Sequence, residues 1–500
     1  MTTRSFPRRG VFLAKCAIAR LILPLMLQAE PYEVRDLLTA SSPVHSRSES
    51  WTPGSDIPLE VSGMAWIGPD RLALCIRKGE VWFLDHVQSD AASEIRYHLF
   101  ASGLHEPLGL TKDGDDLLVA QRGEITRLQD RNNDGTADAY LTACDGWSVT
   151  GSYHAYTYGP ERDGNDQLWV TLNLDMGDFS DNSQGWRGWG GIVGEDGQFQ
   201  PLASGMRSPC GLGANATGDM FFTDQQGTWI PATPLYHLRP HVFFGNQEGL
   251  GSHQSPEAPF HLSTLPIPNQ SYPDALRSVP EFVPPAVWLP YNKMGRSATD
   301  IELIPEGSDF GPFEGQLLVG EFTNAAISRV FLEKVGGEYQ GACFPFLDAF
   351  PAAVLRLCFA PDGTLFVGMS NRGWSSLGNR SYGLQRVRYT GEPLFAIQKV
   401  EAKPDGFLLT FTEPAAHTSA TFQVSSFTYE YSSRYGGEEK DTQRHQITHQ
   451  NWSSDKRSVL LRIDALRELY VYEISCEALQ SRTGNPLSHP TAWYTLNHIP

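Results

Sequence analysis

Five hundred residues with 40% hydrophobic and 11% aromatic side chains supply a large core, which excludes global disorder and points to several domains or one large repeat fold with an appendage. The 57 acidic against 39 basic residues leave a net charge of −18, which argues against nucleic acid or anionic membranes as partners. With 47 Gly, 34 Pro and 12 Trp, the composition favours many short strands joined by tight turns over long helices.

Residues 1–29 read as a signal peptide: Arg4, Arg8, Arg9, Lys15 and Arg20 with no acid, then an apolar run from Leu21 to Leu27 and Ala29. That run is too short to span a bilayer, so no transmembrane segment is expected, and Arg8-Arg9 before Val11-Phe12-Leu13 resembles a twin-arginine export signal. The expected location is periplasmic or extracellular. Without this segment the chain carries 34 basic and 57 acidic residues, a net charge of −23. Six cysteines remain, none in a CxxC pair, which leaves neither a haem-attachment motif nor zinc-knuckle spacing. Only Cys476 lies in the last hundred residues, so at least one cysteine must be free or pair between domains. Residues 30–56 read as an N-terminal extension.

From 57 to 392 six segments share a small-residue turn, an apolar strand, a Gly/Asp turn and a second apolar strand. They begin at Ser62-Gly63-Met64, Leu108-Gly109-Leu110, His154 to Pro160, Cys210-Gly211-Leu212, Asp300 to Ile304 and Leu355-Arg356-Leu357. A single such hairpin sheet cannot bury both faces, so the units must stack radially: an all-β, six-bladed β-propeller is predicted. The stretch 236–290, rich in Pro, His, Ser and Asn, reads as an insertion between the fourth and fifth blades. After 393 the pattern changes to alternating strands around Phe407, Tyr429, Leu461 and Tyr472, which fit a small immunoglobulin- or fibronectin-like β-sandwich over 393–500 with no catalytic constellation.

Three stretches could carry chemistry. Asp130, Asn132, Asp134 and Asp138 stand at positions 1, 3, 5 and 9 of a loop with Gly135 at 6, the spacing of a calcium loop, although Leu141 occupies position 12, where an EF-hand has its bidentate Glu. The alternative is an Asp/Asn-rich solvated turn. The second stretch is Gly151-Ser152-Tyr153-His154 before Gly159-Pro160. The third is Arg207-Ser208-Pro209-Cys210-Gly211-Leu212, followed by Gly218-Asp219 and on to Gly227. Trp186, Trp189, Trp229 and Trp374 either line a sugar-binding mouth or pack between blades; Arg372, beside Trp374, is similarly open. No GxSxG, HExxH, P-loop or GxGxxG occurs.

In these residues the chain resembles the glucose/sorbosone dehydrogenase family, six-bladed propellers that use pyrroloquinoline quinone (PQQ). The likeness covers about 57–392 and is nearest a subgroup labelled membrane-bound dehydrogenases. It rests on His154, on Arg207 with Pro209, Gly211 and Leu212, and on Gly311-Pro312-Phe313, Pro361-Asp362-Gly363 and Asn371-Arg372-Gly373-Trp374. Tyr429-Glu430-Tyr431-Ser432-Ser433-Arg434-Tyr435-Gly436 is similar to the sandwich attached to such propellers. The resemblance implies His154 as the base that takes a hydroxyl proton and Arg207, Gly227 and Arg356 as cofactor contacts. It also implies a carbohydrate or polyol substrate, PQQ and calcium as cofactors, and a separate electron acceptor.

Three departures stand against it: Leu172-Asn173-Leu174-Asp175 displaces an orienting Asp, Thr323 stands near the position of a family Lys, and an Arg pair is reduced to Arg356. A non-catalytic propeller that binds a glycan or protein is therefore the alternative. A calcium-dependent lactonase is a third class, for which no convergent ligand set can be assembled.

Overall fold

Each of the six predicted hairpins opens an antiparallel sheet in the computed structural model, which describes residues 30–38, 45–46, 59–177, 181–182, 185–371 and 374–500. The expected signal peptide and Arg372 lie outside the described residues. The first strands of the sheets are Val61–Gly68, Gly109–Asp113, Thr157–Arg162, Gly211–Ala214, Ala298–Leu303 and Val354–Phe359. Each touches the next in that order, and the last touches the first. The fold is thus a six-bladed β-propeller whose innermost strands form the ring around the axis.

The ring explains the glycine near the head of each of the first four units. A β-carbon on Gly109 would stand 1.7 Å from the carbonyl oxygen of Gly159, and one on Gly211 would stand 1.8 Å from that of Thr299, so at these crossings neighbouring inner strands come within reach because a side chain is missing. The second strands, such as Leu168–Leu172 and Leu365–Ser370, are buried along their whole length because blades cover both faces. This is why they read as unbroken apolar runs rather than alternating ones.

The strand Tyr32–Leu38, within the segment read as an N-terminal extension, pairs with Tyr382–Tyr389 in the register Val34↔Val387 and forms the outer strand of the sixth blade. One sheet is therefore shared by both ends of the propeller. The excursion after Thr233–His237 lies inside the fourth blade, whose outer strand Val287–Leu289 follows it, and not between the fourth and fifth blades as its composition suggested. It carries the helix Tyr272–Ser278, capped by Ser271, whose side chain accepts from the Asp274 amide.

The C-terminal sandwich packs a four-stranded sheet (Ile397–Lys403, Gly406–Phe411, Ser458–Ile463, Ile447–Trp452) on a second one built from Thr491–Leu496, Tyr470–Glu477, Thr421–Thr428 and Lys440–His445. Phe407, Leu409, Leu461, Tyr472 and Ile474 fill the space between them. The second sheet is continuous with the fifth blade, since Thr491–Leu496 pairs with Glu338–Leu347 through Gly341↔Thr495 and Cys343↔Trp493. All six cysteines of the described residues are buried, and none is bridged to another of them. No helix of the described residues is long and apolar enough to cross a membrane.

Candidate functional site

His154 sits on the loop ahead of the third blade, and two arginines brace that loop from below. Arg187, fully buried, donates to the carbonyls of Ser148 at 2.8 Å and Tyr156 at 2.7 Å. Arg122 donates to the Ser152 carbonyl at 2.9 Å, pairs with Glu106 at 2.6 Å and lies 4.6 Å from the centroid of the Tyr156 ring. The bracing fixes the His154 backbone, whose amide donates to Ser152 Oγ at 3.2 Å. Burial, then the Arg207 guanidinium, pulls the imidazole's pKa below the usual value against the opposing pull of the Met176 backbone, so the ring is neutral at pH 7 and able to take a proton.

Arg207 opens the turn before the fourth blade, and its own backbone explains why its guanidinium is unpaired. Asp224, the nearby buried carboxylate, accepts from the amides of Arg207 (2.7 Å), Ser208 (2.6 Å) and Gln225 (2.7 Å) instead. Burial nonetheless pushes the Asp224 carboxyl up to about 6. The Arg207 side chain is left with a long contact to the Gln226 carbonyl at 3.5 Å, a buried Nε with no hydrogen-bond partner, and the ring of Tyr435 5.2 Å from Cζ. A desolvated cation without a hydrogen-bonded carboxylate is costly in an empty pocket and useful in one that receives oxygen acceptors. Gly227 lies beneath it: a β-carbon there would stand 2.0 Å from Arg207 Nε.

His154 and Arg207 meet in one cavity of about 310 Å³ at an end of the propeller axis, where Gln225, Thr323, Trp374 and Tyr435 also line it. Asp175 contributes attraction to a charged His154 without touching it; its Oδ2 accepts from the Asp181 amide at 3.0 Å, and its Oδ1 is buried without a partner. Three exposed aromatics surround the mouth: Tyr153 (41% exposed), Trp374 (46%) and Tyr435 (69%), with Trp374 5.9 Å from His154 and 5.5 Å from Tyr153. Of the other tryptophans, Trp189 is fully buried against Trp186 and His253, and Trp229 packs on Tyr431, so both are packing residues.

Arg356 does not join them. It lines a second cavity of about 280 Å³ with Lys112, Glu161, Asp300, Glu302 and Cys358, and Leu108 and Cys210 border both cavities. Its guanidinium is spent on the carbonyls of Ser62 and Leu355 at 3.0 Å each and of Leu108, and it lies 3.6 Å from Asp300. Burial pushes the Glu302 carboxyl up to about 8 and raises Glu161 and Asp300 as well. A tricarboxylate such as PQQ would therefore meet one guanidinium and no lysine among the described residues of the His154 cavity. The residues present do not fit it in the way the resemblance implies, and no step is derived through it.

The 130–138 loop lies between Ile125–Gln129 and Ala139–Cys144 of the second blade, at its outer edge and away from both cavities. Its oxygens serve its own amides: Asp130 accepts from Asp134 (3.1 Å) and Gly135 (2.7 Å), Asn132 from Asp134 (2.9 Å), Asp134 from Thr136 (2.9 Å), and Asp138 from Arg131 (3.2 Å). Among the described residues no group of three His, Cys, Asp or Glu side chains is gathered so as to hold a metal ion. The residues that sequence reasoning missed are Arg122, Arg187, Asp224, Tyr153 and Tyr435. Tyr153, Asp224 and Tyr435 stood inside stretches singled out in the sequence without a role, Arg122 and Arg187 stood in none, and nothing local to the Tyr435 motif signals that it reaches the propeller.

Solved structures with similar backbones include an oxidoreductase of Thermus thermophilus described as a glucose dehydrogenase, at 15% identity over 71% of this chain and 99% of that one, TM-score 0.49. Others are the PQQ-bound aldose sugar dehydrogenase of Streptomyces coelicolor, at 13% identity over 71% and 98%, TM-score 0.46, and the PQQ domain of pyranose dehydrogenase from Coprinopsis cinerea in its holo form, at 12% identity over 72% and 96%, TM-score 0.46. No curated protein matches the chain in sequence. The model of one family matches residues 70–349, from the first blade to the end of the fifth, and the chain belongs to that family, described as a domain of unknown function (DUF7133).

Proposed function

We propose that the axial cavity takes a carbohydrate or polyol. In this reading Arg207 and Gln225 hold ligand oxygens, the aromatic mouth covers apolar ring faces, and the neutral imidazole of His154 accepts the proton of one hydroxyl. The observation that supports it is the pairing of a neutral imidazole with an unpaired guanidinium in a single cavity of about 310 Å³. The reaction such a base serves is oxidation of the hydroxyl carbon: as His154 takes the hydroxyl proton, the carbon-bound hydrogen leaves as hydride to a two-electron acceptor of the quinone class and the carbinol becomes a carbonyl, which would make the chain a secreted oxidoreductase. Export rests on residues 1–29 alone.

A second reading, binding without turnover, is favoured by the position of Arg356, whose donors are committed to the other cavity. Calorimetric titration with a panel of aldoses and polyols, together with dye reduction with and without added PQQ and calcium, separates the two. Binding with turnover that His154→Ala abolishes supports the oxidoreductase; binding without turnover under every condition supports the binding protein. No heat of binding for any member of the panel overturns both.

A further inference from the structure

The sandwich is not a passive appendage to this cavity. Its segment 432–437 leaves the strand Glu430–Tyr431 and lies along residues 227–231 of the fourth blade. The Trp229 amide donates to the Ser432 carbonyl at 3.1 Å, the Gly436 amide to Gly227 at 2.9 Å and the Gly437 amide to Pro231 at 2.8 Å. The root of this arm is fixed in the fourth-blade excursion, where Gln270 and Ser271 pair with Tyr431 and Glu430 and the Tyr431 hydroxyl donates to the Gly245 carbonyl at 2.7 Å. The close fit continues at the tip, where a β-carbon on Gly436 would stand 2.4 Å from Gln226 Nε2. A backbone so firmly held nevertheless presents Tyr435 with 69% of its surface in solvent, over Arg207 and at the edge of the cavity.

Burying a ring of that size is favourable, and nothing in the arm's own packing needs it exposed. The cavity itself is at the small end for a ligand site and holds about one sugar ring beside His154 and Arg207. A second ring linked to the first must leave the cavity and cross the mouth, where Tyr435 and Trp374 stand.

We propose that Tyr435, delivered to the propeller by the sandwich, is the stacking platform for a second sugar ring, so that the natural ligand is an oligosaccharide chain and not a free monosaccharide. This rests on the carbohydrate reading of the cavity. Tyr435 is a specificity-determining residue and takes no part in proton transfer.

The test uses the full chain and measures binding of glucose, cellotriose and maltotriose, and of mannose and mannotriose, to wild type, Tyr435→Ala and Tyr435→Phe, with the melting temperature of each. Wild type binds at least one trisaccharide more tightly than its monosaccharide. Tyr435→Ala weakens that trisaccharide about tenfold more than it weakens the monosaccharide, with an unchanged melting temperature, and Tyr435→Phe restores it. Equal affinities in Tyr435→Ala and wild type overturn the platform, as does an equal loss for mono- and trisaccharide with a lowered melting temperature, which would make Tyr435 a docking residue only. A wild type that binds no sugar in the set fails earlier and removes the carbohydrate reading with it, whereas a wild type that binds, with indifference at Tyr435, removes the platform alone.

Discussion

The α-carbon of Gly227 lies against the guanidinium of Arg207 so closely that a β-carbon there would stand 2.0 Å from Nε and 2.2 Å from Cζ. The same glycine gives its carbonyl to the amide of Gly436. Gly227 thus joins the cavity's cation to the arm that carries Tyr435. In Gly227→Ala the arginine has to leave its place, because the end of a side chain gives way before backbone does. The expected result is loss of ligand binding with a stability cost of about 1 to 3 kcal/mol, the range for overpacking a tight contact. Thermal unfolding and titration of the same preparation check both halves.

Arg207→Met separates function from stability in the opposite sense. Its charge is buried without a hydrogen-bonded carboxylate, and its main favourable neighbour is the Asp224 carboxyl, which burial has raised to about 6. A raised acid contributes stability that is complete below its unfolded pKa of about 3.8 and is lost as pH rises through the folded value. Removing Arg207 moves that folded value higher. The variant is therefore as stable as wild type at pH 5, where Asp224 is largely protonated, and less stable at pH 8, while ligand binding is weakened at both.

The six inner hairpins are legible in the sequence because a propeller forces its neighbours close around the axis, and Gly109 and Gly211 record that closeness in the chain itself. The convergence of His154 and Arg207 is legible only through their motifs. Arg356 shows the limit: Leu355 lines one cavity and Arg356 the other, so a single residue of strand decides which end of the axis a side chain serves, and matching residue types cannot resolve that. Tyr435 and the pairing of Gly341 with Thr495 are contacts across about two hundred and one hundred and fifty residues, with no periodicity to announce them. The 130–138 loop is ambiguous for a different reason, since the oxygens that would wrap an ion are the ones that cap the turn's own amides.

For His154 the direction of the shift sets the pH profile of any reaction it serves. Burial and Arg207 lower its pKa below 6.5, so activity rises with pH and levels off below that value, where the ring loses its proton. Arg207 lowers the value and Asp175 raises it, so residual activity in Arg207→Met has its inflection at higher pH and that in Asp175→Asn at lower pH. An inflection that stays in place in both variants would mean that another group titrates.

The loop prediction turns on which partner Asp134 serves. Its Oδ1 accepts from the Thr136 amide at 2.9 Å, so Asp134→Ala removes a turn-closing hydrogen bond worth about 1 kcal/mol whether or not an ion is present. If the loop also takes calcium, the ion raises the wild-type melting temperature and leaves that of the variant unchanged; if the loop is a turn alone, calcium moves neither. Differential scanning calorimetry of the two proteins with chelator and with millimolar calcium distinguishes the cases.

The far cavity predicts a pH dependence of its own. Burial first, then the neighbouring Asp300 carboxylate, pushes Glu302 up to about 8, although its Oε1 accepts from the Phe359 amide at 3.0 Å. Its stabilising contribution is complete below the unfolded pKa of about 4.5 and is lost as pH rises to 8, because folding then holds a charge that water would solvate better. Glu302→Gln keeps the shape and an acceptor for Phe359 but has no proton to lose. It should match wild type near pH 4.5 and exceed it increasingly up to pH 8, by roughly 2 to 4 kcal/mol, with the cavity's own water holding the gain toward the lower figure. Glu302 also raises Glu161, so the variant lowers that carboxyl and extends the gain to both residues. Chemical denaturation at half-unit steps from pH 4.5 to 8.5 measures the difference directly, and parallel curves for the two proteins would show that Glu302 is already ionised throughout.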